Sequence, residues 1–410
     1  MTSLFWLIIL AAFVAYSLVS GALGRTVLTL PILFAALGYA LSETMTAALS
    51  PALVGESKWL LAEVTLVLVL FSDASTVRFR RMGRNWRLPA RMLIVGMPLT
   101  VALGTVATLS LEPSIGFALA MLVAALLTPT DAALGQSVVT SADVPERLSQ
   151  SINVESGLND GLALPFVLVG AILAAGLGRE VLGGMLVEAL GEVILGPLAG
   201  VAVGCGVARA MDWAEERDWV VPSAGGVVFL CTAFAAYLLA GAIGGNGFIA
   251  AFVAGMAFGN TYRHDIRFIR EFVEGEGQIL TMASFFAFGA LLLPQGLAFA
   301  SPGAVVLAVL FLTVVRMLPI YLSLAGTGLA LREKLFLGWF GPRGLASILF
   351  TLIMTERYDL PYEHDVLAIV SLTVGLSILL HGITASPLAR WMGRRSPDDP
   401  QRPSRAGECS

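Results

Sequence analysis

Long apolar runs dominate this chain, and their length carries more information than their periodicity. An α-helix rises 1.5 Å per residue, so about 20 apolar residues cross the roughly 30 Å hydrocarbon core of a bilayer. Thirteen such stretches follow one another, at residues 3–22, 26–42, 58–76, 88–110, 114–140, 147–175, 181–208, 220–242, 246–260, 276–296, 303–325, 335–356 and 366–389. They predict an all-α polytopic membrane protein, because a helix satisfies its own backbone in a solvent that offers no hydrogen bonds. The opening run MTSLFWLIILAAFVAYSLVS lacks the basic start and small-residue cleavage site of a signal peptide and reads as the first span. The segment at 392–410 is polar and proline-rich, which predicts disorder.

The basic residues test this division. Cytoplasmic loops of membrane proteins are enriched in Lys and Arg. With the N-terminus outside and the C-terminus inside, 20 of the 25 basic residues fall in cytoplasmic segments, including Arg78, Arg80, Arg81, Arg84, Arg87, Arg91 and Arg147. Lys58, Arg179 and Arg357 fall outside, and a missed or invented span would destroy this asymmetry. Composition agrees: 57% of residues are hydrophobic and 13% charged, against about 25% charged in soluble domains. The net charge of −4 suggests no nucleic-acid partner. Three cysteines without close spacing suggest neither a disulfide framework nor a zinc site.

Two spans are interrupted, the fifth at Thr128-Pro129-Thr130-Asp131 and the twelfth at Gly341-Pro342-Arg343-Gly344. Matching breaks in the two halves of a transporter point to inverted repeats, with the binding site where the broken helices cross. Charges inside the spans reinforce this. Asp131, Glu155, Asp160, Arg316 and Arg343 would each cost about 2.5–3.5 kcal/mol at mid-membrane, so they require partners, water or a bound ion. Asp73 lies near the end of the third span. Pro129 frees carbonyls beside the Asp131 carboxylate, and hard oxygen ligands of this kind suit an alkali ion. A competing reading has Thr130 or Asp131 capping the second half-helix. In INVESGLNDGLALP, Ser156 and Asp160 share one helix face, and Glu155 and Asn159 the adjoining one. Glu155 is the expected partner of Arg343 and Arg316, which have no carboxylate on their own spans.

Three carboxylates (Asp131, Glu155, Asp160) against two arginines (Arg316, Arg343) leave one negative charge, which one monovalent cation or one proton would neutralise. A site that crosses only when neutral and that cation and proton compete for is an electroneutral exchanger. Glu63, Glu188 and Glu192 receive no role. His264 reads as a solvated loop residue that could tune pH response, and His364 and His381 read as structural.

LLTPTDAALGQSVV, INVESGLNDGLALPFVL and GPRGLAS, in this order, resemble the cation–proton antiporters of the bacterial NhaP and eukaryotic sodium/proton exchanger type, and LVLVLFSDAS and NWRLPAR extend the likeness. The resemblance implies the NhaA-like fold with inverted repeats. It makes Asp160 the aspartate that carries ion or proton, with Asp131, Thr130 and Ser156 completing the Na+ site. Asn159-Asp160 is the pair associated with one-for-one exchange, and Glu155 with Arg343 and Arg316 is an internal ion pair. Relatives place an acidic residue, commonly Glu, where Asp73 stands. The resemblance further implies a homodimer in the cell (inner) membrane, with monovalent cations, protons and lipid as partners and no cofactor. Spans at 88–178 and 301–391 would form a transport core that moves like an elevator against a dimerisation bundle at 1–87 and 179–300. A potassium/proton antiporter shares every one of these features. A sodium-coupled solute symporter or a channel would need a roomier solute site or a selectivity filter, for which no residues stand out.

Overall fold

The computed structural model describes residues 2–23, 28–48, 51–77, 86–175, 179–221, 224–264, 278–358 and 360–393. The chain runs through α1 (Thr2–Leu23), α2 (Leu30–Ala40), α3 (Ser42–Ala48), α4 (Pro51–Thr76) and α5 (Arg87–Leu111). Next come α6 (Gly116–Leu126), α7 (Ala132–Val139), α8 (Glu146–Ala174), α9 (Arg179–Glu215), α10 (Ala224–Ala242) and α11 (Gly247–Thr261). The last are α12 (Gln278–Ala298), α13 (Pro302–Ser323), α14 (Leu331–Trp339), α15 (Leu345–Arg357) and α16 (Glu363–Gly393). Every one of the thirteen apolar stretches contains helix. Among the described residues seven helices are long and apolar enough to cross a membrane: α5, α8, α10, α12, α13, α16 and Leu190–Glu215 of α9. The basic loop at 78–85, Arg267, Arg270 and the polar segment at 394–410 lie outside the described residues.

The two interruptions are real. Helix stops at Leu126 and resumes at Ala132, and stops at Trp339 and resumes at Leu345. Pro129 and Pro342 sit inside these gaps, where a missing N–H and a fixed φ end a helix. The half-helices α6, α7 and α14 are packed among α5, α8, α13 and α16, and α15 packs on α4 and α16.

A second group is built on close backbone contact. Helix α11 lies between α9 and α4 and packs on both. Gly196, Gly200 and Gly204 recur every four residues on α9 and face Asn246, Ala250 and Ala254 of α11. On α11, Gly255 and Gly259 face the backbone of Phe71 and Ser75 in α4. Lipid tails are as apolar as Leu, so helices in a membrane associate through such small-residue packing. The Asn246 side chain caps α11 by accepting from Phe248 N at 3.0 Å and Ile249 N at 3.1 Å.

The α9 face supplies a test with opposite signs two residues apart. A Cβ on Gly204 would collide with the Ala254 backbone, lying 2.9 Å from its Cα, whereas one on Gly206 meets nothing within 4 Å. Gly204→Ala should lower the thermal unfolding midpoint in detergent by several degrees, as overpacking costs about 1–3 kcal/mol. Gly206→Ala should leave it unchanged or raised, given the roughly 1 kcal/mol helix preference for Ala over Gly. Equal effects would show that α9 does not pack on α11 in this register.

Candidate functional site

Four half-helix ends meet at the crossing, and each exposes backbone groups that have no partner within their own helix. The first is the carboxyl end of α6. Arg343, fully buried at 0% exposure, donates Nη1 to the carbonyls of Thr128 and, at 3.1 Å, of Pro129. Next come the amino ends of α7 and α15, which share one carboxylate. Asp131 accepts from Leu134 N at 3.3 Å through Oδ1 and from Leu345 N at 2.7 Å through Oδ2. The Asp131 N–H in turn donates to the Pro342 carbonyl at 2.8 Å, which ties the two extended segments directly.

The carboxyl end of α14 is held by a residue that the sequence reading treated as merely structural. His381 Nε2 lies 2.9 Å from the Trp339 carbonyl. Nδ1 lies 3.0 Å from the Ser377 carbonyl and 3.1 Å from Ser377 Oγ, and Ser377 Oγ accepts from Arg343 N at 2.7 Å. Trp339 stacks on the His381 ring with centroids 5.1 Å apart. The sequence signal was available: Ser377, His381 and Thr384 are spaced i, i+4, i+7 along an otherwise apolar span, and Thr384 accepts from Trp339 Nε1 at 3.0 Å.

Of the two arginines expected to meet Glu155, one does. Glu155 pairs with Arg316, not with Arg343, through two parallel bonds of 2.6 and 2.7 Å between residues 2% and 3% exposed. This fork-to-fork geometry is specific to arginine. Arg343 instead serves backbone carbonyls, as described above. The two glycines of Gly341-Pro342-Arg343-Gly344 fit the same arrangement. A Cβ on Gly341 would strike the Arg316 guanidinium, and one on Gly344 the Asp131 carboxylate.

On α8, Asn159 Nδ2 donates to Thr130 Oγ1, which lies 3.1 Å from Ser156 Oγ. The structure therefore brings Thr130, Ser156 and Asn159 together in one hydrogen-bonded chain beside Asp160. Asp160 itself is 5% exposed, and its Oδ1 has no hydrogen-bond partner; Asn159 Oδ1 has none either. Asp73, Asp131 and Glu155 are all close enough to act on Asp160 electrostatically. Asp73 reaches this neighbourhood because Gly157 of α8 lies against its backbone, where a Cβ would be 3.2 Å from the Asp73 carbonyl.

The other polar residues of the spans pair elsewhere. Glu63 accepts from Tyr237 Oη. Glu192 accepts from Asn246 Nδ2 at 3.0 Å and from Arg357 at 3.1 Å. The Glu188 side chain lies outside the described residues. His264 is docked, not simply solvated: its Nδ1 lies 3.0 Å from Asp212 and 3.2 Å from Glu215. His364 stacks on Phe299 at 4.2 Å, a packing role as expected.

Comparison with known proteins bears on this geometry. Residues 7–391 match the family described as "Sodium/hydrogen exchanger, transmembrane". The K(+)/H(+) antiporter NhaP of Alkalimonas amylolytica is 26% identical over 348 residues, covering 83% of this chain and 58% of that protein. The Na(+)/H(+) antiporter ApNhaP of Aphanothece halophytica is 24% identical over 383 residues, covering 89% and 69%. A probable Na(+)/H(+) antiporter of Schizosaccharomyces pombe is 29% identical over 322 residues, covering 73% and 41%. The chain thus spans about half the length of several curated relatives. In structure it is similar to the sodium proton antiporter MjNhaP1 of Methanocaldococcus jannaschii, with a TM-score of 0.75 at 17% identity over 96% of this chain and 100% of that one. With an all-helical polytopic membrane fold shared across its length and a family match over residues 7–391, the chain belongs to the sodium/hydrogen exchanger family.

Proposed function

We propose that this protein exchanges one monovalent cation, sodium or lithium, for one proton across the cell membrane, with Asp160 as the group both bind. The observation that carries the reading is the buried, unpartnered Asp160 Oδ1 beside two broken helices. A carboxylate in that position is stable only when a cation or a proton occupies it. Charge accounting supports electroneutrality. Glu155 and Arg316 cancel within their pair, and Asp131 and Arg343 are each taken up by half-helix ends of opposite polarity. Of these five groups Asp160 is left as the one charge to be neutralised, a sum that does not include Asp73. Ser156 and Thr130 supply the nearby hard oxygens, and Asp131 completes the proposed Na+ site. Asn159 holds Thr130 in place.

A potassium/proton antiporter is the second reading, favoured by the name of the Alkalimonas relative. Oxygen ligands alone do not set ionic radius. For the architecture we propose thirteen crossings, N-terminus out and C-terminus in. The core at 88–178 and 301–391 moves against 1–87 and 179–300, and the chain acts as a homodimer. The exposed apolar face of α9, with Leu190, Ile194 and Leu198 each about 60% exposed, offers a surface for the second copy.

Proton flux in proteoliposomes carrying an internal pH dye tests the reading. Sodium addition to wild type should drive proton movement that is unaffected by clamping the membrane potential. Asp160→Asn should lower the rate by about 100-fold, equivalent to losing roughly 3 kcal/mol of charge compensation. Sodium-driven flux that survives this substitution would overturn the site, and flux only with potassium would change the ion. Competition also fixes the sign of the pH dependence. In the pH range where the carboxylate is mostly protonated, the half-saturating sodium concentration should rise by up to about tenfold for each unit of acidification. The maximal rate on the sodium-binding side should stay constant, and a half-saturation independent of pH would rule out a shared carboxylate.

The ion pair is tested through stability. Glu155→Gln leaves Arg316 buried without a counter-charge and should cost about 3–5 kcal/mol, whereas Glu155→Leu with Arg316→Met should recover much of that loss. Thermal unfolding in detergent reads both. A double variant no more stable than the single one would show that the pair has a role beyond compensating charge.

A further inference from the structure

Three arginines gather at one end of the helix array, on elements of the proposed core but outside the crossing. Arg87 and Arg91 lie on the first turns of α5, and Arg147 at the start of α8. Together with Trp86, Ile94 and Val95 they line an open depression, closed on one side by the turn at Gly326 and Thr327 that follows α13. The two halves of this depression differ in chemistry.

One half is cationic. Arg91 donates Nε to the Ser323 carbonyl at 2.6 Å, which fixes its guanidinium at the rim. Arg147 meets Glu333 at 3.4 Å with its side chain 45% exposed, a contact too long and too wet to neutralise it. Among the described residues Glu333 is the one acidic partner of these three arginines, so the local excess is positive. The 25-residue helix α5 also begins here, and its amino end adds partial positive charge and unpaired N–H groups. The other half is apolar. Ile94 is 72% exposed and Val95 43%, and Ile94 lies about 10 Å along the helix axis from Arg87. Trp86, half exposed, sits at the level of the arginines, where an amphipathic ring marks the boundary between headgroups and hydrocarbon.

We infer that this depression binds an anionic phospholipid, its phosphate held by Arg87, Arg91 and Arg147 and its acyl chain lying along Ile94 and Val95. Basic pockets between membrane helices on the cytoplasmic side select acidic headgroups in this way. Inorganic phosphate would use only the arginines and leave the adjoining apolar wall bare, which is why the lipid is the assigned ligand. The inference rests on α5 crossing the bilayer and is independent of the transported ion. By joining the ends of α5, α8 and α13, the lipid would brace the base of the elements that carry Glu155 and Arg316.

Native mass spectrometry of the full-length protein, offered phosphatidylglycerol and phosphatidylcholine in equal amounts, tests this. Wild type should retain phosphatidylglycerol at least about tenfold better, and Arg87→Gln with Arg147→Gln should abolish the preference, given roughly fivefold per arginine near an anionic surface. Equal retention by wild type and the double variant would overturn the proposal. Displacement of the lipid by millimolar inorganic phosphate would do the same, by reducing the site to one for small anions. A second readout does not depend on the arginine variants folding. Phosphatidylglycerol brominated on its acyl chain should quench Trp86, seen as a difference between wild type and Trp86→Phe, and brominated phosphatidylcholine should not. Identical quenching of wild type and Trp86→Phe by the brominated anionic lipid would also refute the site.

Discussion

The structure depends on one constraint: two helices are broken in a solvent that cannot hydrogen-bond their ends. Each break creates one carbonyl end and one amide end, and unsatisfied backbone groups in hydrocarbon cost several kcal/mol each. The four ends at the crossing are met by three side chains whose polarity matches the helix dipoles. Arg343 donates to the carbonyls of Thr128 and Pro129 just after α6, the Asp131 carboxylate bridges the amides of α7 and α15, and His381 meets the last carbonyl of α14 through Nε2. Because Asp131 bridges α7 and α15 and Arg343 reaches from one break to the other, neither broken helix can be built without its partner.

This arrangement changes how the buried charges should be weighed. Counted from the sequence, three carboxylates and two arginines form a pool with a net charge of −1. In the structure the pool divides into compensated units, and the residual charge belongs to a particular atom group. Glu155 and Arg316 close on each other with both oxygens and both terminal nitrogens engaged. Asp131 and Arg343 are engaged with backbone. Asp160 has hydroxyl groups and an amide nearby but keeps Oδ1 unpaired. A single buried carboxylate that is stable only when occupied is the minimal device for exchanging a cation for a proton.

Much of this was legible in the sequence. Proline inside an apolar span predicts a break, and a charge beside it predicts that the break is used, so both interruptions could be read directly and the candidate residues beside them named. Partner choice could not. Whether Glu155 meets Arg316 or Arg343 depends on how α8 is rotated against α13 and on how deep the second break lies, and spacing along one chain fixes neither. Asp131 posed a similar difficulty: a cap on its own helix was foreseeable, but capping a second helix 214 residues away required the crossing geometry. His381 was discounted because a lone histidine in an apolar span has many bland explanations. Its companions Ser377 and Thr384 on the same face were the clue.

The side chains that compensate the crossing also have a common location. Arg343, Asp131, Ser377, His381, Glu155 and Arg316 all lie at 88–178 or 301–391, so a core made of these segments carries its own compensation with it. The face it turns towards the other helices is notched by glycine. Gly157 and Gly161 are four residues apart on one face of α8, next to the face that carries Asp160, and they lie against Asp73 of α4 and the ring of Phe252 of α11. Where α9, α11 and α4 meet one another, glycines likewise set backbone against backbone. A core that slides must carry no uncompensated polar group with it, and the distribution of compensating charges supports the proposed movement of this core against the remaining helices.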